Sequence, residues 1–166
     1  RVRKVVGPGS PAVTLAQVEM QRHGLATMML LGPTESLVVA DHTAHVGKVA
    51  SDLLIEAEHG TDSSVVLVTT SEELIDAVEA ELQIQLADLP DVRAEACRAS
   101  LGPNGGAVLV STLNEAVEVV NMYAPEHCQI AVDAQYEERV VDSIVNAGEI
   151  LIGQHTPFSA GNFIIG

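Results

Sequence analysis

"SLVVADHTAHVGKVASDLLIEAEHGTDSSVVLVT" (residues 36–69) is the stretch whose reading decides the fold. Its opening, SLVVA (36–40), is a short apolar run rich in β-branched residues, which is the mark of a buried strand. Then the period changes. Val46, Val49, Ala50, Leu53, Leu54 and Ala57 recur at helical spacing and make one apolar face. Thr43 is placed to cap the start of that helix, and Gly60 to end it at the position after the last turn. SVVLVT (64–69) is a second buried strand. Strand, one-faced helix and strand in so short a span form the unit from which parallel sheets are built.

The same alternation continues downstream. Thr70 with Glu73 reads as a capping box opening a helix that carries Leu74, Val78, Leu82 and Leu86. DLPD (88–91) breaks it, and a short helix is expected around Val92–Arg98. GPNGG (102–106) leads into the strand AVLVS (107–111). Thr112 with Glu115 is another capping box, and Leu113, Ala116, Val117 and Val120 line its helix. CQIAV (128–132) is a strand, residues 134–146 a helix, and EILIG (149–153) a last strand. We therefore expect an α/β, Rossmann-like fold: a largely parallel sheet with helices on both faces. Upstream, RVRKVV (1–6) reads as a strand and GPGSPAV (7–13) as a turn into a helix. GPTE (32–35) is the expected seam, where a Gly- and Met-rich stretch gives way to regular alternation. Both ends stop inside apolar runs, RVRKVV and GNFIIG, so a piece of a longer chain is expected.

Composition narrows the function. Hydrophobic residues are 47% of the 166, enough for a substantial core, and aromatics only 2%, so that core is aliphatic. A formal charge of −15 argues against nucleic-acid and anionic-membrane partners, because phosphates would be repelled. The apolar run LATMMLLG (25–32) is too short to cross a bilayer, and no signal-peptide pattern opens the chain. Cys97 and Cys128 fit no metal spacing, which suits reduced thiols in a cytoplasmic protein.

Doubly wound sheets bind ligands outside the carboxyl ends of their strands, so chemistry is expected in turns that lead into helices. GPGSPAV could hold a phosphate on the exposed amides of its helix start, although a tight turn alone explains both glycines. GPTES (32–36) offers a hydroxyl and a carboxylate on Thr34 and Glu35, in a turn that needs no ligand. In EAEHG (56–60), Glu56 and His59 are three apart and share a helix face, as two metal ligands would. The ordinary reading is a histidine favoured by the helix dipole beside a solvated glutamate. YAPEH (123–127) places Glu126 and His127 on a turn after Pro125, where they suit general acid–base work or simply face water. TPFSAGNF (156–163) adds Ser159 and Asn162 on a loop after a strand.

In order, these motifs run GPG, GPTE-LVVAD, LL-EAEHG-DS-VVLVT, YAPEH, then NAG-I-G followed by TP-SAG. Together, across essentially the whole chain, they resemble the histidinol dehydrogenase family. That resemblance implies NAD-linked oxidation of L-histidinol, or a related amino or hydroxy alcohol, through an aldehyde to the acid, with one zinc ion. It implies two incomplete Rossmann-like domains, one inserted in the other, in a homodimer. Residues 1–33 would end the inserted domain and 34–166 would form the second half of the main one, leaving the sheet incomplete relative to the family.

Carried over by position, His127 matches the base for the substrate hydroxyl, and Glu126 the residue that activates water. His59 matches a zinc ligand, and Thr34 a substrate-contacting serine. Three positions depart from the pattern. Glu56 replaces a glutamine ligand, Asn162 an aspartate ligand, and Ser10 a cofactor-contacting asparagine. On this reading Glu56 and His59 touch substrate as well as metal. The exchange of charge between Glu56 and Asn162 weakens the metal site without removing its oxygen donors. The alternative is a truncated or degenerate homologue, non-catalytic, serving as a binding or assembly module.

Overall fold

Valine and leucine runs long enough for one pass of a sheet alternate with one-faced helices, and the chain folds as that alternation directs. A computed structural model describes residues 2–7, 9–27 and 32–161. The chain divides into two compact units, Arg1–Pro33 and Thr34–Gly166.

In the first unit, strand β1 (Lys4–Val5) pairs in parallel with β2 (Ala26–Thr27), joined by helix α1 (Pro11–Gln21). Pro11 suits the first helical turn, where its missing N–H costs nothing.

The second unit carries β3 (Glu35–Ala40), α2 (Val46–Ala57), β4 (Ser64–Thr69), α3 (Glu72–Leu86) and α4 (Asp91–Leu101). It continues with β5 (Gly106–Leu109), α5 (Leu113–Tyr123), β6 (His127–Ala131), α6 (Ala134–Ser143), β7 (Glu149–Ile152) and a last turn, α7 (Phe158–Ala160). All its strand pairs are parallel, in the order β5-β4-β3-β6-β7. The order reverses at β3, which is the doubly wound arrangement expected from sequence. Successive side chains of a strand face opposite ways. Val38, Ala40, Val65 and Leu67 pack with α2, α3 and α4, whereas Leu37, Val39, Val68 and Ile130 pack with α5 and α6. Both faces are therefore covered, and the strands have to be apolar throughout.

Several local expectations move by a residue or two. Thr43 does not cap α2: His45 holds that position without a side-chain cap, because Asp41 Oδ1 accepts both the Thr43 N–H and its hydroxyl, at 2.9 and 2.6 Å. Gly60 is not the left-handed stop; Glu58 caps α2 in right-handed geometry, and the Gly60 carbonyl turns to accept from Ser63 N. The cap of α3 is Ser71, not Thr70, since pairing holds β4 extended through Thr69; Ser71 Oγ accepts from Leu74 N at 3.1 Å. Thr112 does cap α5, accepting from Glu115 N, while the Glu115 carboxylate accepts from Ser111 N. Helix α6 ends at Ser143, short of 146, because Asn121 Oδ1 accepts the amides of Val145 and Asn146. Among the described residues no helix is long and apolar enough to cross a membrane.

Candidate functional site

The polar residues that matter gather at the amino ends of β3, β6 and β7, not at the carboxyl ends expected of a doubly wound sheet. The reason lies in where each chain segment enters the sheet. Helix α2 runs antiparallel to its strands, so its last turn, bearing Glu56, returns to the edge where β3 begins. Register then aligns Ser36 of β3 with His127 of β6, and His127 with Glu149 of β7.

Glu56 is wholly buried. Its Oε2 accepts from the Ser36 hydroxyl at 2.8 Å, and its Oε1 has no hydrogen-bond partner among the described residues. Burial pushes its carboxyl above the ordinary carboxylate range. The Ser36 hydrogen bond and the imidazoles of His127 and His59 pull it back, and Glu126 pushes it up again. Glu56, His59, Glu126 and His127 thus share one electrostatic neighbourhood. His59 lies just past α2, exposed, with Nδ1 3.2 Å from the Glu56 carbonyl oxygen. A carbonyl only accepts, so Nδ1 donates and, in the neutral ring, Nε2 carries the lone pair.

Helix α5 ends at Ala124, which takes left-handed geometry (φ 55°, ψ 60°) and donates to the Val120 carbonyl. Pro125 disfavours right-handed geometry in the residue before it, which forces this stop. Glu126 follows with a half-exposed side chain, then His127, whose side chain is only 14% exposed. The Glu126 carbonyl accepts from Glu149 N, and the Pro125 carbonyl from Gly148 N, so β7 pins the turn. His127 Nδ1 lies 2.8 Å from Glu149 Oε2. Its Nε2 is 3.8 Å from Glu126 Oε1, beyond hydrogen-bond reach. The Phe158 ring meets the imidazole edge-on, with centroids 6.2 Å apart.

The other expected residues divide. Thr34 is half-buried at the same edge, its carbonyl accepting from Ser64 N. Ser10 belongs to the first unit, exposed at the start of α1 with no side-chain cap. Asn162 lies outside the described residues. Ser36, Glu149 and Phe158 were missed by sequence reasoning. The available signal was a polar residue at the head of each strand, SLVVA and EILIG, and it becomes meaningful only once the register is known.

As a metal site the donors are a partial fit. The Glu56 oxygen that has no partner among the described residues and the Nε2 of His59 suit a divalent ion, and a ligating histidine characteristically donates its other ring N–H to a carbonyl, as His59 does. Among the described residues no group of three or more His, Cys, Asp or Glu side chains is arranged to hold one.

Comparison with known proteins bears on the whole chain. The family model for histidinol dehydrogenase matches residues 1–166. A histidinol dehydrogenase of Bacteroides thetaiotaomicron is 42% identical over 166 residues, covering 100% of this chain and 38% of the relative. A histidinol dehydrogenase homolog of Colwellia psychrerythraea is 42% identical, covering 98% of this chain and 36% of the relative. The crystal structure of histidinol dehydrogenase from Elizabethkingia anophelis superposes with a TM-score of 0.86 at 36% identity, covering 96% of this chain and 36% of that one. The chain therefore spans well under half the length of the relatives it matches.

Proposed function

Because this chain belongs to the histidinol dehydrogenase family, we propose that it carries the acid–base part of an NAD-linked alcohol oxidation. The substrate is L-histidinol, or a related amino or hydroxy alcohol, taken through an aldehyde to the acid. One observation carries this reading. His127 has its Nδ1 occupied by Glu149, which leaves Nε2 on the side of the Glu126 carboxylate, with the buried Glu56 carboxylate close enough to interact with the same ring.

In this scheme His127 Nε2 takes the proton of the substrate hydroxyl as the carbon loses hydride. Glu126, half-exposed and so within reach of solvent, takes a proton from the water that adds to the aldehyde carbon. The alkoxide left by that addition takes back the proton held on His127, and the hydrated aldehyde then loses a second hydride and leaves as the carboxylic acid, its hydroxyl proton passing to the freed His127. The Thr34 hydroxyl helps hold the substrate. NAD, which Ser10 would contact, supplies the hydride acceptor in each oxidation. Glu56, His59 and Asn162 would hold a zinc ion, whose charge lowers the pKa of the alcohol.

The first 33 residues then belong to the end of an inserted Rossmann-like domain, and residues 34–166 to the second half of the main one, in a homodimeric protein. The test is NADH formation by the purified protein supplied with NAD, zinc and L-histidinol or other amino alcohols. Activity lost by at least about 10²-fold in His127→Asn is the expected result. No NADH from any of these alcohols, or a His127→Asn rate equal to that of the parent, would sink the catalytic reading in favour of a binding or assembly module.

A further inference from the structure

We propose that Glu149 is a positioning residue: its carboxylate fixes the tautomer of His127, with the proton on Nδ1 and the lone pair on Nε2. The role in alcohol oxidation rests on the reading above; the tautomer does not.

In parallel β6 and β7, His127 and Glu149 are direct partners at the first position of each strand. Their side chains project from the same face of the sheet and meet at 2.8 Å between Nδ1 and Oε2. A carboxylate only accepts, so the shared proton sits on Nδ1. Burial makes the contact count, since the two side chains are only 14% and 22% exposed. Glu126 does not compete for the ring, because its Oε1 lies 3.8 Å away on the Nε2 side.

Two further features shape the surroundings of the pair. A Cβ built on Gly161 would collide with the Glu149 carboxylate, at its carbon and at both oxygens, so the absence of a side chain there is what gives the glutamate its room. Phe158, one turn earlier in the same segment and wholly buried, packs its ring in a T-shaped contact with the imidazole. The segment around residues 158–161 therefore shapes the site twice, once by a ring and once by a missing side chain.

Fixing the tautomer matters because a general base needs its lone pair aimed at the proton it removes. An imidazole without such a partner divides between two tautomers, and the Nε2–H form has no lone pair on the side facing the site.

The test is the nitrogen-15 spectrum of histidine-labelled protein without substrate, at about pH 9, well above the ordinary imidazole value of about 6.5. His127 is assigned by its loss in His127→Asn. The expected result is an Nδ1–H signature in the parent, a shift toward Nε2–H in Glu149→Ala, and retention of Nδ1–H in Glu149→Gln, whose amide oxygen still accepts. An Nε2–H signature in the parent overturns the proposal even if no variant folds. So does an Nδ1–H signature that survives in a folded Glu149→Ala protein. In turnover, Glu149→Ala should lower kcat by about 10²-fold with little change in KM, and Glu149→Gln should restore most of it. If the protein oxidises no alcohol yet shows the Nδ1–H signature, the functional reading fails and the assignment of Glu149 stands.

Discussion

Replacing Ser36 by alanine removes the one hydrogen-bond donor that reaches the Glu56 carboxylate among the described residues. Both residues are wholly buried, the bond is 2.8 Å, and the second carboxylate oxygen already has no partner. A hydrogen bond to a charged group contributes about 1.5–3 kcal/mol net, and stranding its acceptor away from water adds to the cost. We therefore expect the metal-free protein to lose about 2–3 kcal/mol, or roughly 30- to 160-fold in its folding equilibrium.

The loss must also depend on pH. Burial raises the folded-state pKa of Glu56 above its unfolded value. Its contribution to stability is thus fully present below the ordinary carboxylate value of about 4.3 and is lost as pH rises through the raised one. The Ser36 hydroxyl lowers that pKa, so removing it raises the pKa further and makes the deficit of the variant grow with pH. Urea unfolding followed by far-UV circular dichroism, in chelator, suits a chain without tryptophan. A deficit under about 0.5 kcal/mol near pH 8, or one no larger there than near pH 4, would refute the reasoning.

The other expectations are simpler. Gly148→Ala would drive a Cβ against the Glu126 carbonyl, 2.7 Å away, so it should cost about 1–3 kcal/mol by chemical denaturation and reduce any alcohol oxidation by displacing the turn that bears Glu126 and His127. Cys97 and Cys128 are wholly buried, and burial pushes their thiols up to about 11 and about 12. Neither should react with a thiol reagent near pH 8 until the protein is unfolded, and rapid labelling of the native protein would contradict their placement.

The sheet was legible because its evidence is local. Runs such as SLVVA and SVVLVT, apolar at successive positions, suit strands covered on both faces, and each run says so without reference to its neighbours. Thr112 was legible as a cap because it and Glu115 stand at capping-box spacing just ahead of an apolar helical run. Thr70 misled because two hydroxyl residues stand side by side after β4, and it is the second, Ser71, whose Oγ meets the Leu74 amide. The partnership of His127 with Glu149, and of Ser36 with Glu56, depended on which strands lie side by side and in what register. Nothing within EILIG or SLVVA states that. Motif order could nominate Glu126 and His127, but only the sheet could supply their neighbours.

Ala124 and Pro125 leave the chain few ways to open between α5 and β6. A left-handed alanine sits in a narrow well, and proline removes one torsion altogether. Most turns borrow their direction from whatever packs around them, whereas this one carries much of its direction in its own covalent joints. Breathing at this end of the sheet should then carry the backbone of Glu126 and His127 together, as the tip of a stiff elbow, while the surroundings move.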